Sequence, residues 1–194
     1  NESSPVQAGS AEDFVQITEG YKSALAIKSD GSLWAWGQNG SGQLGLGDAL
    51  NKSNPTQVGA LTDWKQVSAG NWHTMAVKKD GTLWAWGYGG DQALGLGNTT
   101  DYSSPVQVGT DTDWRKVASG EYHTVAIKTD GTLWAWGNNN YGKLGTGNTT
   151  NYNTPQQIGT FTDWKDITSA RAHTSAIKTD GTLWSWGAFS TSCL

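Results

Sequence analysis

Hydrophobic and polar positions alternate along this chain in short runs and never hold a helical period for long. One stretch shows the grammar. DWKQVSAG (63–70), HTMAVK (73–78) and TLWAWG (82–87) each alternate over the length of a strand, and SPVQVG (104–109) follows as a fourth. Alternation at period two is the pattern of a half-buried strand. Asp80-Gly81 joins the second run to the third, and Asp-Gly is a strong hairpin signal. Pro105 has no backbone donor, so it is expected as the first residue of an outer, edge strand. A long loop containing LGLG or LGTG separates the third run from the fourth.

The four-run pattern returns every 50 residues. Pro5, Pro55, Pro105 and Pro155 mark the period, as do Gly9, Gly59, Gly109 and Gly159. The units are 1–50, 51–100, 101–150 and 151–194, the last six residues short, and no linker interrupts them. Four antiparallel strands per unit at this period predict an all-β propeller, one blade per unit, rather than a solenoid.

KKDGTLWAWG (78–87) puts two tryptophans in each third strand. Trp84 and Trp86 share one face of it, Leu83 and Ala85 the other. Blades stack face to face, so a large face meeting a small one would pack densely. The pairs Trp34/Trp36, Trp84/Trp86, Trp134/Trp136 and Trp184/Trp186 are therefore expected between blades; the alternative is a stacking platform for carbohydrate. Trp72 falls in a turn instead and is expected to be exposed.

Composition narrows the function. Net charge is −4 and Lys and Arg form no basic run or stripe, so the electrostatic footprint of a nucleic-acid binder is missing. No apolar run approaches the roughly 18 residues of a membrane helix. The single cysteine, Cys193, excludes an internal disulfide framework. Low charge with abundant Asn, Thr, Ser and Trp fits a secreted or cell-surface bacterial protein, and a start at Asn1 fits a processed chain.

Candidate chemistry is thin. His73, His123 and His173 share one phase, where the first unit has Ser23. Three histidines suggest zinc, but each belongs to a different blade, and the plainer reading is an imidazole bonding a backbone group where the second strand starts. Asp13, Asp63, Asp113 and Asp163 precede first strands and read as turn residues. No nucleophile elbow, metalloprotease or phosphate-cradling motif is present. The expectation is no enzyme, no cofactor and no metal.

The run G-x-x-H-T-x-A-I-K-x-D-G-T-L-W-A-W-G (Gly120–Gly137, with Gly70–Gly87 close to it), SGQLGLGD (41–48) and the recurring Pro-x-Gln-Val resemble the regulator of chromosome condensation repeat. The resemblance covers essentially the whole chain. It implies a β-propeller, in known members usually of about seven blades. It also implies protein binding as the common thread, in a family that includes a nucleotide exchange factor for a small GTPase and secreted bacterial inhibitors of β-lactamase. This chain has no basic tail, and no unit carries an extra hairpin to serve as an exchange wedge.

Two stretches differ between the copies. The turn after the first strand reads YK (21–22), NW (71–72), EY (121–122) and RA (171–172). The loop after Trp-Gly reads QNGSGQ (38–43), YGGDQA (88–93), NNNYGK (138–143) and AFSTSC (188–193). Strands of a meander alternate direction, so both sets emerge on one side of the disc, away from the Asp-Gly turns. The candidate partner-binding residues are Tyr21, Lys22, Asn71, Trp72, Tyr88, Asp91, Glu121, Tyr122, Asn139, Tyr141, Arg171 and Phe189. Loop aromatics on a rigid scaffold suit a protein partner; a lectin-like propeller is the alternative, and drift in unconstrained loops accounts for the variation equally well.

Closure is the last expectation. The chain opens with an outer-type strand, Ser4–Ala8, and ends after a third strand, Thr182–Gly187. Pairing the first with the last blade would remove an open edge. Four blades are few for one ring. A twofold homodimer would give eight, with each N-terminal strand completing the partner's last blade and Cys193 unable to reach its own copy.

Overall fold

A computed structural model describes residues 13–188; Ser4–Ala8, Phe189 and Cys193 lie outside them. The chain forms consecutive antiparallel sheets. Blade one holds β1 (Phe14–Glu19), β2 (Ser23–Lys28), β3 (Leu33–Gly37) and β4 (Lys52–Gln57). Blade two holds β5 (Trp64–Ala69), β6 (His73–Lys78), β7 (Leu83–Gly87) and β8 (Tyr102–Gln107). Blade three holds β9 (Trp114–Ser119), β10 (His123–Lys128), β11 (Leu133–Gly137) and β12 (Tyr152–Gln157). Blade four has β13 (Trp164–Ser169), β14 (His173–Lys178) and β15 (Leu183–Gly187), and among the described residues no outer strand. The first strands β1, β5, β9 and β13 neighbour one another in turn and line the axis.

Two details of the strands differ from simple alternation. Trp64 pairs with Lys78 but Gln66 with Val77, so a bulge at Lys65 puts Trp64, Val67 and Ala69 all inside. The outer strand starts earlier than expected, and Pro105 is its fourth residue, not its first. The pairing slips there: Ala85 faces Val106 while Gly87 faces Tyr102. Proline is tolerated at this irregular edge because the ladder asks it for no donor.

Each joint buries one small face against one large one. Leu25, Ile27, Leu33, Ala35 and Leu44 of blade one pack on Trp64, Val67, Ala76 and Trp86 of blade two. The same cluster forms between blades two and three around Trp114 and Trp136, and between three and four around Trp164. The two tryptophans of each third strand do different work. Trp86 and Trp136 are fully buried in the joint, and their indole N–H groups donate to Gln43 O and Ala93 O of the preceding blade at 3.0 and 2.9 Å. Trp84 and Trp134 are only half-buried and bond within their own hairpins, to Thr82 and Thr132 Oγ1.

Those first tryptophans form a cage. Lys78 Nζ sits 4.3 Å from the Trp84 ring and 5.0 Å from the Trp64 ring, and 3.3 Å from an Asp63 carboxylate oxygen. Lys128 repeats the arrangement with Trp114, Trp134 and Asp113, and Lys178 with Trp164, Trp184 and Asp163. Asp63 is thus more than a turn residue: it neutralises a lysine held between two indole faces.

The LGLG loop is a clamp. Gln43 O accepts from both Trp86 Nε1 and Thr74 Oγ1 of the next blade, at 3.0 and 2.8 Å. Gly45 lies against that indole with φ +75°, where a Cβ would come within 2.7 Å of Nε1. Only glycine lets the loop lie that close.

The histidines pin the same joints. His73 Nε2 lies 3.2 Å from Thr124 Oγ1 of the next blade, and His123 Nε2 lies 3.1 Å from Thr174 Oγ1. The partner is a threonine hydroxyl across the joint, not the backbone group expected from the sequence. Thr124 gives its own proton to Ala93 O at 2.8 Å, so it accepts from a protonated Nε2. Burial pushes the pKa of His73 down to about 4 and that of His123 to about 3. Both rings are neutral pins.

Candidate functional site

The turns after the first strands are short because their geometry is fixed from both sides. Gly70 N donates to His73 O and Gly120 N to His123 O, both at 2.8 Å. A Cβ on Gly70 would lie 2.4 Å from Gly120 O and from the His73 ring. The backbone there is packed to contact, and the next two residues of each turn, which differ in every copy, project at the mouth of the axis.

Four turns converge. Tyr21, Asn71, Trp72, Glu121, Tyr122 and Arg171 line one depression of about 440 Å³. Glu121 is its centre: one carboxylate oxygen accepts from Asn71 Nδ2 at 3.2 Å, the other from Arg171 Nε at 3.1 Å. The Tyr21 and Trp72 rings lie 5.6 Å apart, and Lys22 Nζ is 5.2 Å from the Tyr21 ring. Trp72 is half-buried against that tyrosine, not free in solvent. Arg171 is 85% exposed, so its pairing to Glu121 is open to exchange.

The second set of loops divides. Tyr88 lies half-buried nearby, and burial, then Asp91, Asp101 and Tyr122, push its phenol up. Asp91 accepts from Asn138 Nδ2 at 3.2 Å, tying loop two to loop three. Tyr141 stands apart, 72% exposed with φ 69°. Asn139 is a correction. It is fully buried, donates to Asn148 O and Thr150 O, and accepts from Leu144 N. Asn39 is fully buried too and accepts from Leu44 N at 2.9 Å. Asn139 staples its loop and presents nothing to a partner. Phe189 lies outside the described residues.

Several residues here were not singled out by the sequence. Glu19, Ser119 and Ser169 line the axial mouth beside Asn71, Glu121 and Arg171, in a cavity of about 310 Å³. Lys143 is nearly buried; burial pulls its pKa down while Glu121 and Asp91 pull it up. Among the described residues no group of His, Cys, Asp and Glu could hold a metal ion, and no helix is long and apolar enough to cross a membrane.

The repeated joint, the four-stranded blades and the Trp-Gly turns match a known family profile. The RCC1-like domain profile matches residues 1–194. The chain belongs to the RCC1-like domain family. The structure is similar to Prp20p of Saccharomyces cerevisiae at TM-score 0.82 and 24% identity, over 94% of this chain and 47% of that one. It is similar to human WBSCR16 at TM-score 0.79 and 23% identity, over 90% and 47%. Yeast RCC1 (Prp20) bound to Kap60 gives TM-score 0.81 and 23% identity, over 94% and 45%. At these identities the likeness is one of fold. This RCC1-like array spans a little under half the length of those chains. No curated protein sequence matches it.

Proposed function

We propose that this chain is a non-catalytic, protein-binding propeller whose partner docks on the loop face around Glu121. The observation that carries it is one depression lined by Tyr21, Trp72 and Tyr122 around a Glu121 carboxylate that Asn71 and Arg171 hold, built from turns that differ between the repeated blades. Aromatic anchors beside a desolvated polar group are how protein interfaces concentrate their energy. Gsp1p and histones are what the Prp20p structure was paired with in binding studies; a macromolecular partner of this kind, not those two, is the inference for this chain. Trp72→Ala and Tyr122→Ala are expected to weaken partner capture while leaving the far-ultraviolet spectrum unchanged. Undiminished capture by both would overturn the assignment.

The face belongs, in this reading, to a disc of eight blades made by two chains. The supporting observation is at the two ends of the array. Ile17 is 62% exposed where Val67 and Val117 are 1%, and Leu183 is 70% exposed where Leu33, Leu83 and Leu133 are 0%. Among the described residues, one end presents a large joint face and the other a small one. A solution mass of one chain would contradict the eight-blade disc and leave the loop-face assignment standing.

A further inference from the structure

Tyr21, Asn71, Glu121 and Arg171 occupy one phase of the repeat, and no two of them are alike. The last three bond to one another around the mouth of the axis. Asn71 Nδ2 donates to one Glu121 oxygen and Arg171 Nε to the other. The turns of blades three and four hold that geometry rigidly. Glu121 N donates to Ala170 O at 3.3 Å, and a Cβ on Gly120 would stand 2.6 Å from that same oxygen. The two members of the ion pair are unequally covered: the side chain of Glu121 is 18% exposed and that of Arg171 85%.

Only Nε of Arg171 faces Glu121. Among the described residues no acceptor meets its two Nη groups. Its own turn supplies no large neighbour to cover them either, since Ala172 stands where the other copies have Lys22, Trp72 and Tyr122. A guanidinium fixed through Nε and open at both Nη groups presents a planar fork, which fits a carboxylate through two parallel bonds. Lys143 adds to the demand for negative charge. It is 4% exposed, and among the described residues its ammonium makes no hydrogen bond or ion pair. The carboxylates that act on it are Glu121 and Asp91, and burial outweighs both. Glu121 therefore answers two cations, Arg171 directly and Lys143 at longer range.

Aromatic rings beside a carboxylate would also suit a cation. Here those positions are filled from within the chain. Lys22 Nζ stands 5.2 Å from the Tyr21 ring, and Tyr21 packs on Trp72. Both oxygens of Glu121 are bonded. Glu19, the other carboxylate at the mouth, lies to the axial side and shares a separate depression with Lys22. What stays open is a guanidinium fork beside Trp72 and Tyr122, in one depression of about 440 Å³.

We infer that this depression reads a carboxylate on its partner: the Nη groups of Arg171 grip an exposed Asp or Glu side chain whose aromatic neighbour packs on Trp72 and Tyr122. The inference rests on the loop-face reading and names the chemistry of the partner, an acidic peptide segment. Arg171 is the residue that determines specificity, and Glu121 positions it. A phosphate is met by clustered arginines, whereas the fork here is single, so a carboxylate is the better match.

The test uses the full chain and peptides of the form acetyl-Gly-Phe-X-Phe-Gly-amide, with X glutamate, glutamine, lysine or phosphoserine. Affinity and contact are read together from NMR shifts of the Arg171 Nε and Trp72 indole nitrogens. The glutamate peptide is expected to move both signals and to bind at least about tenfold more tightly than the glutamine peptide. The lysine peptide is expected to bind no better than glutamine, and the phosphoserine peptide no better than glutamate. Arg171→Gln should erase the preference for glutamate, and Arg171→Lys should keep part of it, because an ammonium retains the charge and loses the fork. Arg171 is 85% exposed, so both variants are expected to fold. Trp72→Ala should weaken the glutamate and glutamine peptides alike and leave the preference intact.

A preference that survives Arg171→Gln overturns the inference, as do equal binding of the glutamate and glutamine peptides and binding of none. Tightest binding of the phosphoserine peptide overturns it in favour of a phosphopeptide, and tightest binding of the lysine peptide in favour of a basic segment. Capture of the native partner then separates the two levels. Capture still lost in Trp72→Ala and Tyr122→Ala leaves the loop-face reading standing, and undiminished capture overturns both.

Discussion

His73 Nε2 reaches across the joint between blades two and three to Thr124 Oγ1, at 3.2 Å. The bond needs a hydrogen on Nε2, because the hydroxyl already donates to Ala93 O, and burial keeps the ring neutral. In the unfolded chain histidine binds a proton near pH 6.5; folded His73 does so only near 4 and His123 near 3. Between these values the unfolded state holds more protons, so stability rises with pH. It is fully present above about pH 6.5 and is lost as pH falls through the folded values. Each ring contributes on the order of 3 kcal/mol to that loss. Thermal melting from pH 7.5 to 4 is expected to show a falling midpoint below pH 6.5. His73→Gln should flatten the slope between pH 6.5 and 4, because glutamine keeps a donor and does not titrate.

The caged lysines should matter more than their charge suggests. Lys78→Ala removes a cation from between Trp64 and Trp84 and leaves Asp63 without its partner. The expected cost is about 2 kcal/mol by denaturant titration. Lys79→Ala, next door on an exposed side chain, is expected to change stability by less than about 0.5 kcal/mol.

The clamp loops give a matched pair of glycine substitutions. Gly95 has φ +72°, and a Cβ there would stand 2.7 Å from Trp136 Nε1. Gly97 has φ +78° but meets only one atom, at 3.9 Å. Gly97→Ala should cost about 1 kcal/mol, the left-handed backbone penalty alone. Gly95→Ala adds a collision with a fully buried ring and should cost at least about 3 kcal/mol.

The repeat, the four strands and the large and small faces of Trp86 and Leu83 were legible in the sequence because they depend on period alone. The clamp and the pins were not, because each joins two blades, and neither was the cage, because it gathers side chains from three strands of one blade. Lys78 beside a turn reads as a solvated charge. Its identity with Lys28, Lys128 and Lys178 in copies that differ freely nearby was the available signal. Gly45, Gly95 and Gly145 carried the same signal. Asn139 misled in the opposite sense: a polar residue in a variable loop looked presented, yet Asn39 holds the same buried post one unit earlier. The axial site was legible as a set of turns; that they meet on Glu121 required the blades to be placed side by side.

The claim that the Glu121 depression is the binding face is tested most directly by titrating a partner captured from the native environment against purified variants. Wild type is compared with Trp72→Ala, Tyr122→Ala and Thr129→Glu, the last on the exposed Asp-Gly turn of the opposite face. The account predicts that Trp72→Ala and Tyr122→Ala each weaken binding at least tenfold, about 1.4 kcal/mol or more, while Thr129→Glu binds as wild type does. Binding lost in Thr129→Glu and kept in the other two would contradict it.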